Sequence, residues 1–282
     1  MRTLVIPVSH PQLKPYVQSF LFFRKADQAL FTYTTFPNTN LCLAIYKNNR
    51  VTYGPNSGLN QCGVKPDQHI SSRLYGFHQQ PFTVNIQGEM DQVCILFRPA
   101  ALRAFTAEAY DQLIQSEHVL SDLFGSSSMS MLDQLFSLEE ASQRASVLEA
   151  FLVARILSTG LNPLATASLQ LIGQRPTGQP IEQLAATLRI HPSTLYRLFM
   201  QQVGQSPKLF GQTVRFRHAL TGLHAPLRPN LTQVAHSSEY YDQAHCIKHI
   251  KQLTGYTPRQ LQQKATVEQN ELIWITTQPR AA

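Results

Sequence analysis

The sequence predicts an α+β protein of two domains. An antiparallel β-barrel or sandwich with a helical segment comes first, and an all-α domain built from a repeated two-helix unit follows. Short apolar segments separated by turn residues fill the first hundred positions, and helical spacing begins after Arg98-Pro99. With 282 residues, of which 43% are hydrophobic, the chain is long enough for two ordinary domains.

Four segments near the N-terminus are typical of β-strands. They are rich in aromatic and β-branched residues or alternate apolar with polar residues, namely Tyr16–Phe23, Leu41–Tyr46, Phe82–Gly88 and Val93–Phe97. Many short strands without intervening helices indicate an antiparallel sandwich or barrel. We therefore expect a β-rich domain at residues 1–98.

Residues 99–175 are predicted to be a helical linker. Pro99 suits the first turn of a helix. A later stripe at helical spacing consists of Leu148, Phe151, Leu152, Arg155 and Ile156. Such a stripe either packs into a core or forms the seam of a homodimer, and both remain open here. The Pro- and Gly-containing stretch 174–180 marks the start of the next domain.

The positive charge is concentrated in the last third of the chain. Residues 1–179 hold 13 Lys+Arg and 12 Asp+Glu, whereas residues 180–282 hold 11 and 5. A basic segment beside a neutral one predicts a module that binds a polyanion, attached to a domain with another task. A basic surface that serves solubility alone is the alternative.

Several classes of protein are disfavoured by what the sequence lacks. The cysteines Cys42, Cys62, Cys94 and Cys246 form no Cys-x-x-Cys pair, which argues against a zinc ribbon or a disulfide scaffold. No apolar run reaches the ~18 residues that span a bilayer, and the N-terminus lacks the apolar segment of a signal peptide. We expect a reduced, cytoplasmic chain that binds no membrane and needs no cofactor.

The first two-helix unit lies at about residues 180–204. Leu184 and Ala185 face inward from a short helix, and Pro192 opens a second helix whose Leu195 and Phe199 face inward. This is the pattern of a helix-turn-helix. The outer face of the second helix carries the hydrogen-bonding side chains that reading a DNA major groove requires: Ser193, Thr194, Tyr196, Arg197 and Gln201.

A second unit at about residues 230–255 repeats the plan. Asp242 is its predicted N-cap, and the outer face of its second helix carries Gln243, Ala244, His245 and Lys248. Each unit ends on Gly-x-Ser/Thr-Pro, and one helix of ~25 Å connects them. Lys208 and Arg259 follow those prolines and are expected to hold DNA phosphates. The helical domain is assigned to 176–264, and 265–282 is expected to be a C-terminal tail.

Two helix-turn-helix units joined by one long helix resemble the DNA-binding domain of the AraC/XylS family of transcription regulators. The matching motifs lie within residues 180–264: Leu184-Ala185, Leu195-Tyr-Arg-Leu-Phe199, Gly204-Gln-Ser-Pro207, Arg215-Phe-Arg-His-Ala219, Tyr240-Tyr-Asp-Gln-Ala-His245 and Gly255-Tyr-Thr-Pro258. Two N-terminal motifs, Pro11–Phe20 and Phe97–Leu102, resemble a group of such regulators with a small β-rich domain.

The resemblance implies a sequence-specific regulator of transcription that binds double-stranded DNA in two successive major-groove segments. An activator of this kind would also contact RNA polymerase. The N-terminal domain would bind a small-molecule effector or a second subunit. The resemblance further implies a structural role for Arg215, with Glu182 or Asp242 as its partner.

The chain departs from the family pattern at four positions. Glycine is usual where Arg189 and Glu239 stand, and a positive φ in those turns would be unfavourable for either residue. Phenylalanine is usual where the smaller Cys246 and Ile250 stand in the last reading helix.

Candidate effector residues are the aromatic residues Phe22, Tyr33, Tyr46, Tyr75 and Phe77, although for any single one of them a place in the core is the better explanation. His245 and His249, with Cys246 between them, have a spacing that suits a metal, but a polar or packing surface explains them too. Isolated His69 and His78, and the lack of a Gly-x-Ser-x-Gly motif or Walker loop, argue against an enzyme. An architectural DNA-binding protein without an effector remains the main alternative.

Overall fold

Two β-sheets face each other in the N-terminal half. The structure, a computed structural model, describes residues 2–53, 60–76, 78–157, 160–174, 180–225, 229–268 and 272–277. The first sheet has the order β1-β2-β9-β4-β7 and the second the order β10-β11-β3-β8-β6-β5. Their strands are β1 Arg2–Pro7, β2 Val17–Lys25, β3 Phe31–Thr35, β4 Leu41–Lys47, β5 Asn49–Tyr53, β6 Gln61–Pro66, β7 Ser71–Tyr75, β8 Phe82–Ile86, β9 Met90–Phe97, β10 Ala265–Glu268 and β11 Leu272–Thr277.

This arrangement confirms the predicted α+β class in its sandwich form. Every described strand pairing is antiparallel except that of β6 with β8. The four predicted strands correspond to β2, β4, β8 and β9. The sequence predicts either a barrel or a sandwich. The two sheets do not close into a barrel, so the domain is a sandwich.

The first sheet is buried on both faces, which explains the continuous apolar runs of its strands. One face joins the helix-side core, to which β2 contributes Phe20 and Phe22. The opposite face joins the inter-sheet core, to which the same strand contributes Leu21 and Phe23. Successive residues of a strand point to opposite faces, so a single strand fills both cores.

Residues 99–157 form a layer of helices against the first sheet. A one-turn 3-10 helix at Ala101–Ala104 stands where the sequence predicts a helix from Pro99. Leu148, Phe151 and Leu152 are buried in the helix-side core, so the predicted stripe packs within the chain. The helices of this layer are α1 Tyr110–Gln115, α2 Val119–Phe124, α3 Ser127–Ser137 and α4 Ala141–Val153.

The C-terminal domain contains the two predicted helix-turn-helix units. Its helices are α5 Pro163–Gln174, α6 Ile181–Thr187, α7 Pro192–Gln202, α8 Pro207–Leu223, α9 Leu231–Ser237, α10 Gln243–Thr254 and α11 Pro258–Lys264. Ile172 of α5 lies in the core of the first unit with Leu184, Leu195 and Phe199, which we call the first-unit core. The segment 99–175, which the sequence predicts to be one linker, therefore belongs to both domains. Helices α1–α4 pack on the sandwich, and α5 packs with the helical domain.

The segment expected to be a C-terminal tail contains a β-hairpin. Strand β10 pairs with β11, and β11 pairs with β3 of the N-terminal domain, with Trp274 opposite Thr35 and Ile275 opposite Thr34. Ile273-Trp-Ile-Thr276 has the β-branched and aromatic residues that favour a strand. Because β11 covers the edge of β3, the polar backbone groups of that edge are paired. Residues 278–282 lie outside the described part of the chain.

The two helix-turn-helix units share an uncommon backbone turn. Arg189 has φ 55° and Glu239 has φ 58°, so both positions are left-handed. The hydrogen bonds also repeat: the amide of Arg189 donates to the carbonyl of Ala186 at 3.0 Å, and that of Glu239 to the carbonyl of His236 at 3.0 Å. Both turns therefore require a conformation that only glycine adopts without strain, although Arg189 and Glu239 occupy these positions.

Replacing either turn residue by glycine is expected to stabilise the protein. The left-handed conformation costs a residue with a side chain about 1–2 kcal/mol. Glycine avoids this cost, but it loses roughly 0.5–1 kcal/mol more conformational entropy on folding. We expect Arg189→Gly and Glu239→Gly each to raise the free energy of unfolding by about 0.5–1 kcal/mol, measured by urea unfolding. Gln252→Gly, at an exposed position inside α10, is the control and should lower it by about 1 kcal/mol. A loss of stability at both turn positions would contradict the strain argument.

Candidate nucleic-acid interface

The first candidate reading helix, α7, is fixed at its N-terminus by His191. The imidazole Nδ1 of His191 accepts a hydrogen bond from the backbone N–H of Ser193 at 3.3 Å, and it lies 2.8 Å from the Ser193 hydroxyl. Leu195 and Phe199 anchor the inner face in the first-unit core. Of the predicted base-reading residues, Thr194 is half-buried, and the exposed ones are Ser193, Tyr196, Arg197 and Gln201.

The second candidate reading helix, α10, begins at the predicted N-cap. The carboxylate of Asp242 accepts a hydrogen bond from the backbone N–H of His245 at 2.7 Å. The side-chain oxygen of Gln243 accepts one from the hydroxyl of Thr232 on α9 at 3.0 Å, which orients the amide. All four predicted base-reading residues of this unit are exposed: Gln243, Ala244, His245 and Lys248.

Tyr241 was missed by the sequence analysis. It lies directly before the N-cap of α10, and 93% of its surface is exposed. Single exposed aromatic residues are normal on protein surfaces, so the place of Tyr241 beside the N-cap of α10, and not its exposure, makes it a candidate for a DNA contact. Its signal in the sequence is the Tyr240-Tyr241 pair, of which one ring is buried and the other faces solvent.

Lys208 and Arg259 occupy equivalent positions in the two units. Each is exposed and is the second residue of its helix, α8 or α11, after the proline that opens it. The caps are equivalent as well. The hydroxyl of Ser206 accepts from the amide of Leu209 at 3.3 Å, and that of Thr257 from the amide of Gln260 at 3.3 Å. Both cations thus stand beside a helix N-terminus, where backbone N–H groups and the helix dipole favour anions.

A buried cluster supports the turn of the second unit. The hydroxyl of Tyr240 lies 2.7 Å from Nδ1 of His249, so this ring nitrogen already has a hydrogen-bond partner. The guanidinium of Arg215 lies 5.2 Å from the centroid of the Tyr240 ring. Arg215 thus packs against Tyr240, and among the described residues it forms no ion pair with Glu182 or Asp242, the partners that the resemblance implies. The Asp242 carboxylate caps α10.

The inter-sheet core contains a cavity of about 140 Å³. Three of the five predicted effector residues line it: Tyr33, Tyr46 and Tyr75. Phe22 does not, because it points to the opposite face of β2 and belongs to the helix-side core, whereas its neighbours Leu21 and Phe23 line the cavity. Phe77 lies outside the described residues.

The thiols of Cys62 and Cys94 in the inter-sheet core are protonated. Burial raises the pKa of Cys62 to about 12, and a hydrogen bond with Cys42 together with burial raises the pKa of Cys94 well above its ordinary value. The thiolate is the reactive form of cysteine. Cys62 and Cys94 therefore serve as small apolar groups of the core, as expected for Cys94, whereas Cys42 is only partly buried against it.

The N-terminal domain contacts the C-terminal end of α7 through two hydrogen bonds. Arg103 Nε donates to the backbone carbonyl of Gln201 at 2.9 Å, and the hydroxyl of Tyr110 donates to that of Gln202 at 2.8 Å. The guanidinium of Arg103 lies 4.0 Å from the centroid of the Tyr110 ring. The two donors therefore form one unit that binds carbonyls left free at a helix end.

Two families of protein domains match the chain. Residues 184–264 match the family described as a helix-turn-helix domain, and residues 8–118 match a domain of unknown function (DUF6597). No protein of curated function matches the chain in sequence. None of the described helices is long and apolar enough to cross a membrane.

Three solved structures are similar to the chain. The fatty-acid-bound ToxT of Vibrio cholerae has 12% identity and a TM-score of 0.46, and the match covers 86% of this chain and 94% of ToxT. The C-terminal domain of the response regulator AraT from Geobacillus stearothermophilus has 20% identity and a TM-score of 0.35, with coverages of 38% and 90%. A DNA-binding transcriptional dual regulator of Escherichia coli K-12 has 22% identity and a TM-score of 0.32, with coverages of 38% and 96%.

The fold and the matched domain define a DNA-binding protein with two helix-turn-helix units behind a β-sandwich. More particularly, the helix-turn-helix domain is of the AraC type, which confirms the resemblance drawn from the sequence motifs. The protein is a DNA-binding regulator of transcription.

The buried pair of Tyr240 and His249 predicts a loss of stability in acid. Burial, with smaller contributions from Arg215 and His245, lowers the pKa of His249 from 6.5 to about 4. The unfolded chain therefore binds the proton more tightly, and stability is complete above pH ~6.5 and falls as the pH drops toward ~4. We expect a loss of about 1–2 kcal/mol over that window, allowing for the partial exposure of the ring.

The pH dependence of urea unfolding, measured for the protein and two matched variants, checks this expectation. His249→Gln keeps an acceptor for the Tyr240 hydroxyl but does not titrate, so the loss between pH ~6.5 and ~4 should shrink. His218→Gln, at an exposed position of α8, should leave it unchanged. Equal pH profiles for the protein and His249→Gln would contradict the assignment.

Proposed function

We propose that the protein reads two successive major-groove segments of double-stranded DNA, with α7 in the first and α10 in the second. The observation that carries this proposal is the repetition of the whole unit. Both units have a left-handed turn, a side-chain cap on the reading helix, an apolar inner face and an exposed polar outer face. An α-helix with such an outer face fits the major groove, where each base pair has a distinct pattern of donors and acceptors.

Arg197 is the strongest candidate for base recognition in the first unit. It is exposed on α7 between Ser193 and Gln201, and a guanidinium forms two parallel hydrogen bonds with guanine. The competing role is a contact with phosphate alone, which would position the helix without reading sequence. Lys208 and Arg259 are assigned that positioning role, because each stands beside a helix N-terminus.

Selection of bound sequences from random DNA tests the two-segment proposal. The recovered site should contain two elements whose centres lie about 34 Å apart, one turn of the double helix. Arg197→Ala should relax the preference at one position by about 1–3 kcal/mol and leave the other positions unchanged. A site with one element would show that only one unit binds, and an equal loss on all sequences would assign Arg197 to phosphate.

The salt dependence of binding tests the phosphate contacts. Each cation that neutralises a phosphate releases a counterion, so Lys208→Ala and Arg259→Ala should each reduce the slope of log K against log salt concentration by about one. Lys14→Ala removes the same charge at an exposed position of the N-terminal domain and should leave the slope unchanged. An unchanged slope in both helix-terminus variants would contradict the assignment.

We also propose that the N-terminal domain controls DNA binding in response to a small effector. The cavity in the inter-sheet core and the contacts between the domains support this over an architectural protein, which would need neither. The core position of Cys62 and Cys94, with their raised pKa values, offers no activated nucleophile for a barrel enzyme. Such a regulator would act in the cytoplasm, and as an activator it would contact RNA polymerase, alone or as a homodimer.

A further inference from the structure

Strand β11 contributes to two hydrophobic cores at once. The indole of Trp274 lies in the inter-sheet core and lines the cavity. Its neighbours Ile273 and Ile275 point the other way, into the core of the second helix-turn-helix unit with Cys246 and Ile250, which we call the second-unit core. All three side chains are at most 4% exposed. The cavity and the second unit are thus separated by the thickness of one strand.

Phe36 makes a second connection between the same two places. It follows β3, lines the cavity and belongs to the second-unit core. Its ring lies edge-on to Tyr256 at a centroid distance of 6.5 Å, and Tyr256 directly follows the glycine that ends α10. Phe36 and strand β11 therefore each border both the cavity and the second-unit core.

The cavity walls are mainly aromatic and apolar, and the polar side chains among them, including Asn38, Asn40 and Gln92, are uncharged. Phe23 stacks on Tyr33 at 6.0 Å and lies 6.1 Å from Trp274, and Phe82 lies 5.3 Å from Tyr75. No Asp, Glu, Lys or Arg is among the described residues that line it. A charged ligand would lose its hydration there without an opposite charge to replace it. The walls therefore favour an uncharged, planar ligand.

His78 supplies one polar group that lacks a partner. Its ring stacks on Phe82 at 4.6 Å, and its Nε2 is buried with no hydrogen-bond partner among the described residues. Burial lowers the pKa of His78 to about 4, so the ring is neutral at pH 7. A buried polar atom without a partner is costly, and a ligand that bonds to it recovers that cost. The hydroxyls of Tyr46 and Tyr75, in contrast, already bond to each other at 2.8 Å.

We propose that the cavity binds a monocyclic aromatic compound with one uncharged hydrogen-bonding group, held by His78, and that Trp274 transmits its presence to the second helix-turn-helix unit. The cavity of about 140 Å³ is close to the engineered apolar cavity of about 150 Å³ that binds benzene in another protein. This inference rests on the proposed function, since it names the effector class and the path of its control. A ligand against Trp274 changes DNA affinity only if it binds the DNA-competent state differently.

The fluorescence of Trp274 provides a direct measurement of binding. It is the single tryptophan of the chain, so tryptophan emission of the full-length protein reports on the cavity wall alone. Benzyl alcohol is the probe. Toluene is the control compound that lacks the hydroxyl, and benzoate is the control compound that carries a charge. We expect a saturable change in emission with benzyl alcohol, weaker binding of toluene by about fivefold, and no saturation with benzoate.

Variants at His78 test the hydrogen bond. His78→Phe keeps an aromatic ring against Phe82 but removes the nitrogen, so benzyl alcohol should bind about fivefold more weakly while toluene binding is retained. His69→Phe, at an exposed position, is the control and should change neither affinity. Equal losses for both probes in His78→Phe, or no saturable response to either probe in the unaltered protein, would overturn the proposed site.

Trp274→Phe tests the transmission to DNA. In the unaltered protein, saturating benzyl alcohol should change the affinity for the selected DNA site by about fivefold or more, and DNA should change the affinity for benzyl alcohol by the same factor. Trp274→Phe should bind DNA normally without the probe and lose most of this response, with probe binding followed by calorimetry. Tyr53→Phe, in an aromatic residue that does not line the cavity, should keep the response.

Two failures are distinguishable from each other. Binding of benzyl alcohol without any change in DNA affinity, or an unchanged response in Trp274→Phe, would overturn the transmission through β11 and leave the DNA-binding proposal intact. Failure of the protein to select any DNA sequence would contradict the proposed function, and the inference that rests on it, even if the fluorescence titration saturates.

Discussion

The relation between the two domains depends on strand β11. Its alternating side chains fill two separate cores, with Trp274 on one face and Ile273 and Ile275 on the other. Full burial of a large apolar side chain stabilises by roughly 1.5–3 kcal/mol, so undocking this strand would cost several kcal/mol. It would also expose the unpaired edge of β3. The hairpin therefore holds the second helix-turn-helix unit against the sandwich far more firmly than a flexible linker would.

The same strand explains the departures from the family pattern in the second unit. Cys246 and Ile250 occupy positions where phenylalanine is usual, and both are fully buried. Phe36 from the sandwich and the two isoleucines of β11 enter the same core and fill the volume that larger residues would occupy. Because interiors are packed to nearly constant density, small residues on one side require larger ones on the other. The second unit is thus completed by residues from outside the helical domain.

The sequence was most informative where a local pattern decides the structure. The apolar runs of β2, β4 and β9 and the cap at Asp242 are examples. The hairpin was missed because the Ile-Trp-Ile run follows a helical domain, and its partner β3 lies more than two hundred residues earlier. Phe22 was assigned to the cavity instead of Phe23 because alternation shows two faces but does not show which face borders a cavity.

The two reading units are attached to the sandwich by different kinds of contact. The first is held by one small apolar side chain, that of Ala100 in the first-unit core, and at the end of α7 by hydrogen bonds from Arg103 and Tyr110 to backbone carbonyls. Water can replace each of these hydrogen bonds at a net cost of about 1 kcal/mol. The second is held by buried apolar surface, which water cannot replace. A motion between the domains would therefore break the polar contacts of the first unit before the apolar contacts of the second. Because α8 packs into the cores of both units, such a motion changes their placement relative to two adjacent major-groove segments only as far as α8 bends.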